Sequence, residues 1–206
     1  MADRNEPLRE QDAAADPLVQ FAAWSGQARE AGVREVEAAA LATASADGVP
    51  SVRMLLVKSF DERGFVFFTN YASQKGRELA ANASAALLFH WDPLGRQVRI
   101  AGRVERASDA ETESYVRTRA RRSQLSALAS PQSEVIDSRD ALELRVAELE
   151  RRYADEAELP VPSQWGGFRL APTTYEFWQQ RSDRLHDRLR YRRAVDGGWV
   201  IERLAP

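Results

Sequence analysis

The chain has 206 residues and a nearly balanced charge, 29 Lys and Arg against 31 Asp and Glu, for a formal net of -2. That length suits one domain, or one domain with a helical arm, and the charge gives no whole-chain attraction for nucleic acid. With no cysteines and two histidines, His90 and His186, disulfides and thiolate metal sites are excluded and no metal site is expected.

No apolar run approaches the length of a membrane span. Met1 to Ala15 is charged and Ala-rich, without the apolar stretch of a secretory signal. A cytoplasmic protein is expected, with residues 1–15 a disordered arm and 16–206 a single domain. Asp16-Pro17 predicts a helix start, an acidic N-cap with proline at the first helical position. Leu18, Phe21, Ala22 and Ala28 supply its apolar stripe, and Gly32 ends it. Strands follow at Ala38–Ser45 and Pro50–Lys58 around the hairpin signal Asp47-Gly48. The next, Gly64–Thr69, carries Phe65-Val66-Phe67-Phe68 without alternation, so burial on both faces is expected. Ser73 to Asn82 reads as a short helix. Ala85–Trp91 and Gln97–Arg106 are strands around the turn Asp92-Pro93-Leu94-Gly95.

A helical block occupies the middle. Ser108 with Glu111 forms a capping box for a helix to about Ala120, Arg121–Ala129 reads as another, and Leu142, Val146, Leu149 and Tyr153 recur at helical spacing. Strands return at Gly167–Leu170, Thr174–Gln179, Arg188–Ala194 and Trp199–Leu204, the last two joined by Asp196-Gly197-Gly198. Short strands with tight turns and a few helices predict an antiparallel barrel with helical additions, mainly β in an α+β arrangement.

Several clusters bear chemistry. Ser73-Gln74-Lys75 lies at a helix start, where free N–H groups and the dipole favour an anion. Lysine there is unfavourable for the helix unless a phosphate is near. Tyr115, Arg119 and Ser123 fall at i, i+4 and i+8, one stripe of hydroxyl, guanidinium and hydroxyl if the helix persists. The competing reading is a generic basic face with Arg117, Arg121 and Arg122. Arg53 and Lys58, five apart on a strand, point to opposite faces. Gln97 opens a strand, where a buried amide can pair with the edge of a heterocycle. Trp178 alone reads as core, and His90 as a structural strand histidine. Near the end, Arg184, His186 and Arg188 are spaced to share one side of an extended segment, a set suited to a planar anionic ligand. The alternative there is a surface strand paired with Asp183 and Asp187. There is no G-x-S-x-G, G-x-G-x-x-G or P-loop.

The stretch Glu176-Phe177-Trp178-Gln179-Gln180-Arg181-Ser182-Asp183-Arg184-Leu185-His186-Asp187-Arg188 resembles the C-terminal signature of the pyridoxamine 5′-phosphate oxidase family. Arg53-Met54-Leu55-Leu56-Val57-Lys58, Phe68-Thr69-Asn70, Ser73-Gln74-Lys75-Gly76, Gly95-Arg96-Gln97, Ser123-Gln124, Pro131-Gln132-Ser133, Trp165-Gly166-Gly167-Phe168-Arg169 and Arg203-Leu204-Ala205-Pro206 match in the same order. The resemblance runs from about residue 16 to the end. It implies an antiparallel, Greek-key split β-barrel that binds FMN at a homodimer interface. The implied activity is oxidation of pyridoxine 5′-phosphate and pyridoxamine 5′-phosphate to pyridoxal 5′-phosphate. Hydride passes from C4′ to flavin N5, and O2 reoxidises the flavin to give H2O2.

By the same resemblance, Arg53, Met54, Leu55, Leu56, Val57, Lys58, Phe68, Thr69, Gln74, Lys75, Gln97, Gln132, Ser133, Trp178 and Arg188 bind FMN. Lys58, Tyr115, Arg119 and Ser123 hold the substrate phosphate. Arg184, Leu185 and His186 hold its ring, with Arg184 and His186 at the reacting edge. The chain departs from the family's usual residues at Gln74 (often arginine, with Arg77 a candidate stand-in), Ala120 (often proline) and Gln180 (usually glycine). Two alternatives remain: a related flavin oxidase of another reduced aromatic, such as a phenazine precursor, and a non-catalytic flavin- or pyridoxal phosphate-binding module. Phenazine-branch members tend to lose the Trp-Gly-Gly motif and the intact phosphate cradle, both present here. Neither a nucleic-acid nor a membrane partner is expected.

Overall fold

The computed structural model describes residues 7–195 and 197–206. Helix α1 (Pro17–Glu30) starts where predicted, Asp16 accepting from the Leu18 N–H at 2.7 Å and Pro17 taking the first helical position. Its buried apolar face is Phe21, Trp24 and Ala28, whereas Ala22 is exposed. The larger indole takes the inward position because it removes more apolar area from water.

Eight strands form one antiparallel sheet: β1 (Ala38–Ala44), β2 (Pro50–Asp61), β3 (Gly64–Asn70), β4 (Ser84–Trp91), β5 (Arg96–Arg106), β6 (Trp165–Gln179), β7 (Asp187–Arg193) and β8 (Trp199–Arg203). Their order is β3-β2-β1-β4-β5-β6-β7-β8, and β3 also pairs β6, so the first six in that order close a barrel. β7 and β8 extend the sheet past β6. The fold is thus the expected split barrel. Phe65 and Phe67 of β3 are fully buried, and Val66 between them is 3% exposed, as the unalternated run predicts. The ring of Phe21 meets Phe65 and Phe89 edge-on at 5.0 and 4.9 Å, fixing α1 to this core.

Two predicted strands, 167–170 and 174–179, are one strand, β6. Ala101 faces Thr174 but Gly102 faces Pro172, leaving Thr173 as an inserted residue. Proline, which has no N–H to donate, is tolerated at such a bulge. A Cβ on Gly102 would lie 2.0 Å from the Ala171 carbonyl oxygen, a backbone atom with no freedom to retreat. Gly102→Ala should therefore cost about 3 kcal/mol of stability, read as a lowered urea midpoint.

Helices α2 (Gln74–Ala81), α3 (Asp109–Thr118), α4 (Arg121–Ala129) and α5 (Arg139–Arg152) complete the chain. The Ser108–Glu111 capping box is present. The helix predicted to reach Ala120 stops at Thr118 instead. The Thr118 hydroxyl donates back to the Tyr115 carbonyl at 2.7 Å, and Gln124 Nε2 donates to the Arg119 carbonyl at 2.8 Å. These local bonds satisfy carbonyls that a continued helix would use. Arg119 is extended (φ -77°, ψ 144°), so Tyr115, Arg119 and Ser123 do not form one helical stripe.

The N-terminal expectation also changes. Residues 1–6 lie outside the described residues, but 7–15 are packed rather than disordered. Leu8 is 7% exposed, its N–H donates to Asp187 at 3.1 Å, and Arg203 binds both Glu10 and the Leu8 carbonyl. Burial of one leucine, one ion pair and two hydrogen bonds to the Leu8 backbone offset the ordering cost that composition alone predicts would win. No helix among the described residues is long and apolar enough to cross a membrane.

Candidate active site

The bulge between Val57 and Ser59 ends the regular part of β2. Before it, side chains alternate. Ser51, Arg53 and Leu55 turn inward with Thr43 and Leu41 of β1, while Val52, Met54 and Leu56 turn outward, 68%, 65% and 37% exposed. Val57 is in the core, so only its backbone is available to a ligand.

A pocket of about 450 Å³ opens beside this strand, lined by Ser51–Leu55, Phe68, Thr69, Gln74, Lys75, Gln132 and Ser133. Chain segments some sixty residues apart meet here. Gln132 Oε1 accepts from Thr69 Oγ1 at 2.9 Å, from the Asn70 N–H at 3.3 Å and from Lys75 Nζ at 3.5 Å. Ser133, at φ 75°, carries this loop past the pocket. Lys75 is 9% exposed, and its ammonium otherwise meets hydroxyls, Thr69 Oγ1 at 3.2 Å and Ser73 Oγ at 3.5 Å. Burial lowers its pKa, the Arg53 charge adds to this, and Glu78 partly offsets it. A bound anion would reverse that balance.

Glu78, which sequence reasoning missed, organises the pocket wall from behind. Its carboxylate accepts from Thr43, from Ser51 at 2.6 Å, from Arg53 at 3.3 Å and from Gln74 Nε2 at 2.8 Å. Burial opposes its charge, but the hydrogen bonds from Ser51, Thr43 and Gln74 and the Arg53 charge hold its pKa at about 2. Arg53 also donates to Thr43, to Ser51 at 2.6 Å and to the Leu41 carbonyl at 3.4 Å. Arg77, the candidate stand-in for the arginine absent at Gln74, donates to the Ala72 carbonyl and does not line the pocket.

Next to this pocket, Tyr115 stacks on Phe68 at 4.0 Å, and both lie parallel to Trp165. Lys58 Nζ is 5.9 Å from the Tyr115 ring centroid, and the Arg119 guanidinium lies 4.7 Å from that of Trp165. Arg119 lines a smaller cavity of about 170 Å³ that shares Gln132 with the main pocket. Its Nη1 is buried with no hydrogen-bond partner, and burial lowers its pKa. Lys58, Tyr115 and Arg119 are thus gathered around the stacked rings of Phe68, Tyr115 and Trp165. Ser123, exposed in the first turn of α4, makes no side-chain bond among the described residues.

The remaining expected residues form a second cluster. Gln97, Trp178 and Arg188 are direct neighbours across β5, β6 and β7, with exposed His90 of β4 in the same row. Trp178 is on the outer face, not in the core, and its ring lies 4.6 Å from that of His186. The Arg181 N–H donates to His186 Nδ1 at 3.0 Å, which places the ring proton on Nε2. Arg184 and His186 are not on an extended strand. They sit in the β6–β7 loop, where Arg184 has φ 63° and Leu185 is 67% exposed.

None of Gln97, Trp178, Arg184, His186 or Arg188 lines the main pocket. Trp165, beside Arg119, and Trp178 lie thirteen residues apart on the same strand, about 40 Å along its path. Each chain thus carries two separate clusters of expected site residues. Between them, on the outer face, Met54, Ala40 and Leu88 align across β2, β1 and β4, as do Val52, Ala42 and Ala86, an exposed apolar surface.

Comparison with known proteins places the chain in a family. The pyridoxamine 5′-phosphate oxidase family profile matches residues 26–153, and a pyridoxine 5′-phosphate oxidase C-terminal dimerisation region matches 165–206. The pyridoxine/pyridoxamine 5′-phosphate oxidase of Ralstonia pickettii is 54% identical over 195 residues, 95% of this chain and 91% of that protein. The structure of PhzG from Burkholderia lata 383, in complex with tetrahydrophenazine-1-carboxylic acid, superposes with a TM-score of 0.91 at 36% identity, covering 99% of this chain and 100% of that one. A pyridoxamine 5′-phosphate oxidase-related, FMN-binding protein from Nostoc punctiforme shares the fold, with a TM-score of 0.71 at 19% identity over 93% of this chain and 98% of that one. The chain belongs to the pyridoxamine 5′-phosphate oxidase family and is an oxidoreductase.

Proposed function

We propose that the protein is an FMN-dependent oxidase of pyridoxine 5′-phosphate and pyridoxamine 5′-phosphate, yielding pyridoxal 5′-phosphate. The observation that carries this reading is Arg119, a half-buried guanidinium whose buried Nη1 has no partner, in the cluster with Lys58, Tyr115 and Trp165. A phosphate monoester supplies the acceptors and the charge this cluster lacks. The larger pocket fits a second phosphate and a planar ring. Lys75, the α2 N-terminus and the Thr69–Gln132 pair would hold the FMN phosphate side, while Gln97, Trp178 and Arg188 would meet the isoalloxazine.

Those two sets are complementary halves, so the reading requires a homodimer in which the second half-site of one copy closes the first half-site of another. The exposed Val52, Met54, Leu56 and Leu88 are the surface such a contact would bury. Bound FMN would supply two-electron acceptance from the substrate carbon C4′ at N5 and return of the electrons to dioxygen as hydrogen peroxide. The residues position the reactants. Lys58, Tyr115, Arg119 and Ser123 bind the substrate phosphate, Arg184 and His186 orient the pyridine ring, and the His186 Nε2–H is available as a donor.

A second reading, a flavin oxidase of a reduced phenazine precursor, is favoured by the likeness to PhzG. One experiment separates the two. The FMN-loaded protein is mixed anaerobically with pyridoxine 5′-phosphate and its visible absorption followed. Bleaching, reversed by air with formation of pyridoxal 5′-phosphate, is expected. A flavin that stays oxidised with this substrate but bleaches with tetrahydrophenazine-1-carboxylic acid would overturn the first reading in favour of the second.

A further inference from the structure

Glu176 is 8% exposed on the outer face of β6, two residues before Trp178. By register it lies between Arg99 of β5 and Arg190 of β7. Arg190, however, is committed to Glu202, with bonds of 2.9 and 2.7 Å. Glu176 reaches diagonally instead: its Oε1 accepts from Arg188 Nε at 2.8 Å and forms an ion-pair contact with Nη2 at 2.8 Å, and its Oε2 accepts from Arg99. The Ala205 carbonyl takes Arg188 Nη1 at 2.8 Å. Every nitrogen of the Arg188 guanidinium is thus engaged, and each terminal nitrogen keeps one further N–H for another acceptor.

We propose that Glu176 is a positioning residue that acts through Arg188, holding its guanidinium in the orientation that serves the flavin half-site with Gln97 and Trp178. The inference rests on the flavin reading above. A buried carboxylate bound to two nitrogens of one guanidinium restricts both its rotation and its tilt. Without that carboxylate, Arg99 and Arg188 become neighbouring like charges with no counter-ion between them, and Arg188 swings away. A solvated ion pair would have none of this directional effect, but here the carboxylate side chain is 10% exposed.

The test is a double-mutant cycle on FMN affinity, read by quenching of flavin fluorescence on titration into the apoprotein. Glu176→Gln keeps the shape and removes the charge. We expect the dissociation constant to rise about tenfold. Arg188→Ala should weaken binding further, and the double variant should match Arg188→Ala alone. Thermal midpoints are recorded in parallel, because a merely structural role lowers them without this coupling. An unchanged dissociation constant in Glu176→Gln overturns the proposal, as does equal weakening with or without Arg188. If Glu176→Gln does not fold, Glu176→Asp carries the same cycle, since it keeps the charge but shortens the reach by one methylene. Wild-type protein that binds no FMN would overturn the flavin reading itself. FMN binding without coupling would overturn the Glu176 inference alone.

Discussion

Arg184→Ala should lower kcat/KM for pyridoxine 5′-phosphate by about two to three orders of magnitude and leave the FMN dissociation constant within about twofold. The expectation comes from the way the loop holds this residue. Arg184 has φ 63°, a left-handed conformation that costs a non-glycine residue of order 1 kcal/mol or more. Several bonds hold the turn around it. Its own N–H donates to the Arg181 carbonyl at 3.3 Å, the Leu185 N–H to Asp183 at 3.0 Å, and the Arg181 N–H to His186 Nδ1 at 3.0 Å. The guanidinium itself is exposed and makes no bond among the described residues. A cation displayed on a pinned, strained turn is preorganised for an external partner. Arg184→Lys keeps the charge but not the planar fork and should recover only part of the loss. Steady-state kinetics with a parallel FMN titration decide the matter. Equal loss of turnover and of FMN would move Arg184 from the substrate to the cofactor.

The sequence was most legible where structure is local. Asp16-Pro17, the Ser108–Glu111 box and the apolar run from Phe65 to Phe67 each describe their own few residues and stand as expected, while Phe68 is half-buried where it meets the pocket. The Arg119 break was hidden because Thr118 and Gln124 supply side-chain bonds that no helical periodicity encodes. Leu8 and Asp187 are 179 residues apart, so a charged N-terminus that packs looks the same in one dimension as one that does not. The site shows the same division. Lys75 could be suspected from an unfavourable position in a first turn, a local argument. Glu78 and Glu176 could not, because what marks them is the arginine that another strand brings within 3.3 and 2.8 Å. Family resemblance supplied the residues that register assembles, Gln97 with Trp178 and Arg188. Only the register showed that they lie on a different part of the barrel from Lys75 and Arg119.

Arg119→Ala has the second large expected effect, and its signature is a split between function and stability. Loss of a charge-assisted hydrogen bond to a buried phosphate is worth roughly 1.5–3 kcal/mol, so KM for pyridoxine 5′-phosphate should rise between about tenfold and about 150-fold. FMN affinity should be unchanged, because Arg119 lines the smaller cavity and not the main pocket. Unphosphorylated pyridoxine, which lacks the group Arg119 would bind, should lose nothing. Stability should move the other way. Burial depresses the Arg119 pKa and leaves Nη1 without a partner, so in the absence of an anion this side chain opposes folding. The thermal midpoint of the phosphate-free variant should therefore equal or exceed that of wild type, less whatever the stacking on Trp165 contributes. Added pyridoxal 5′-phosphate should raise the wild-type midpoint more than the variant's. A variant that melts far below wild type with unchanged KM would mean that Arg119 is a structural cation held by Trp165. The pattern expected instead, a half-buried charge with an unmet donor that phosphate satisfies, is that of a site that gives up stability for binding.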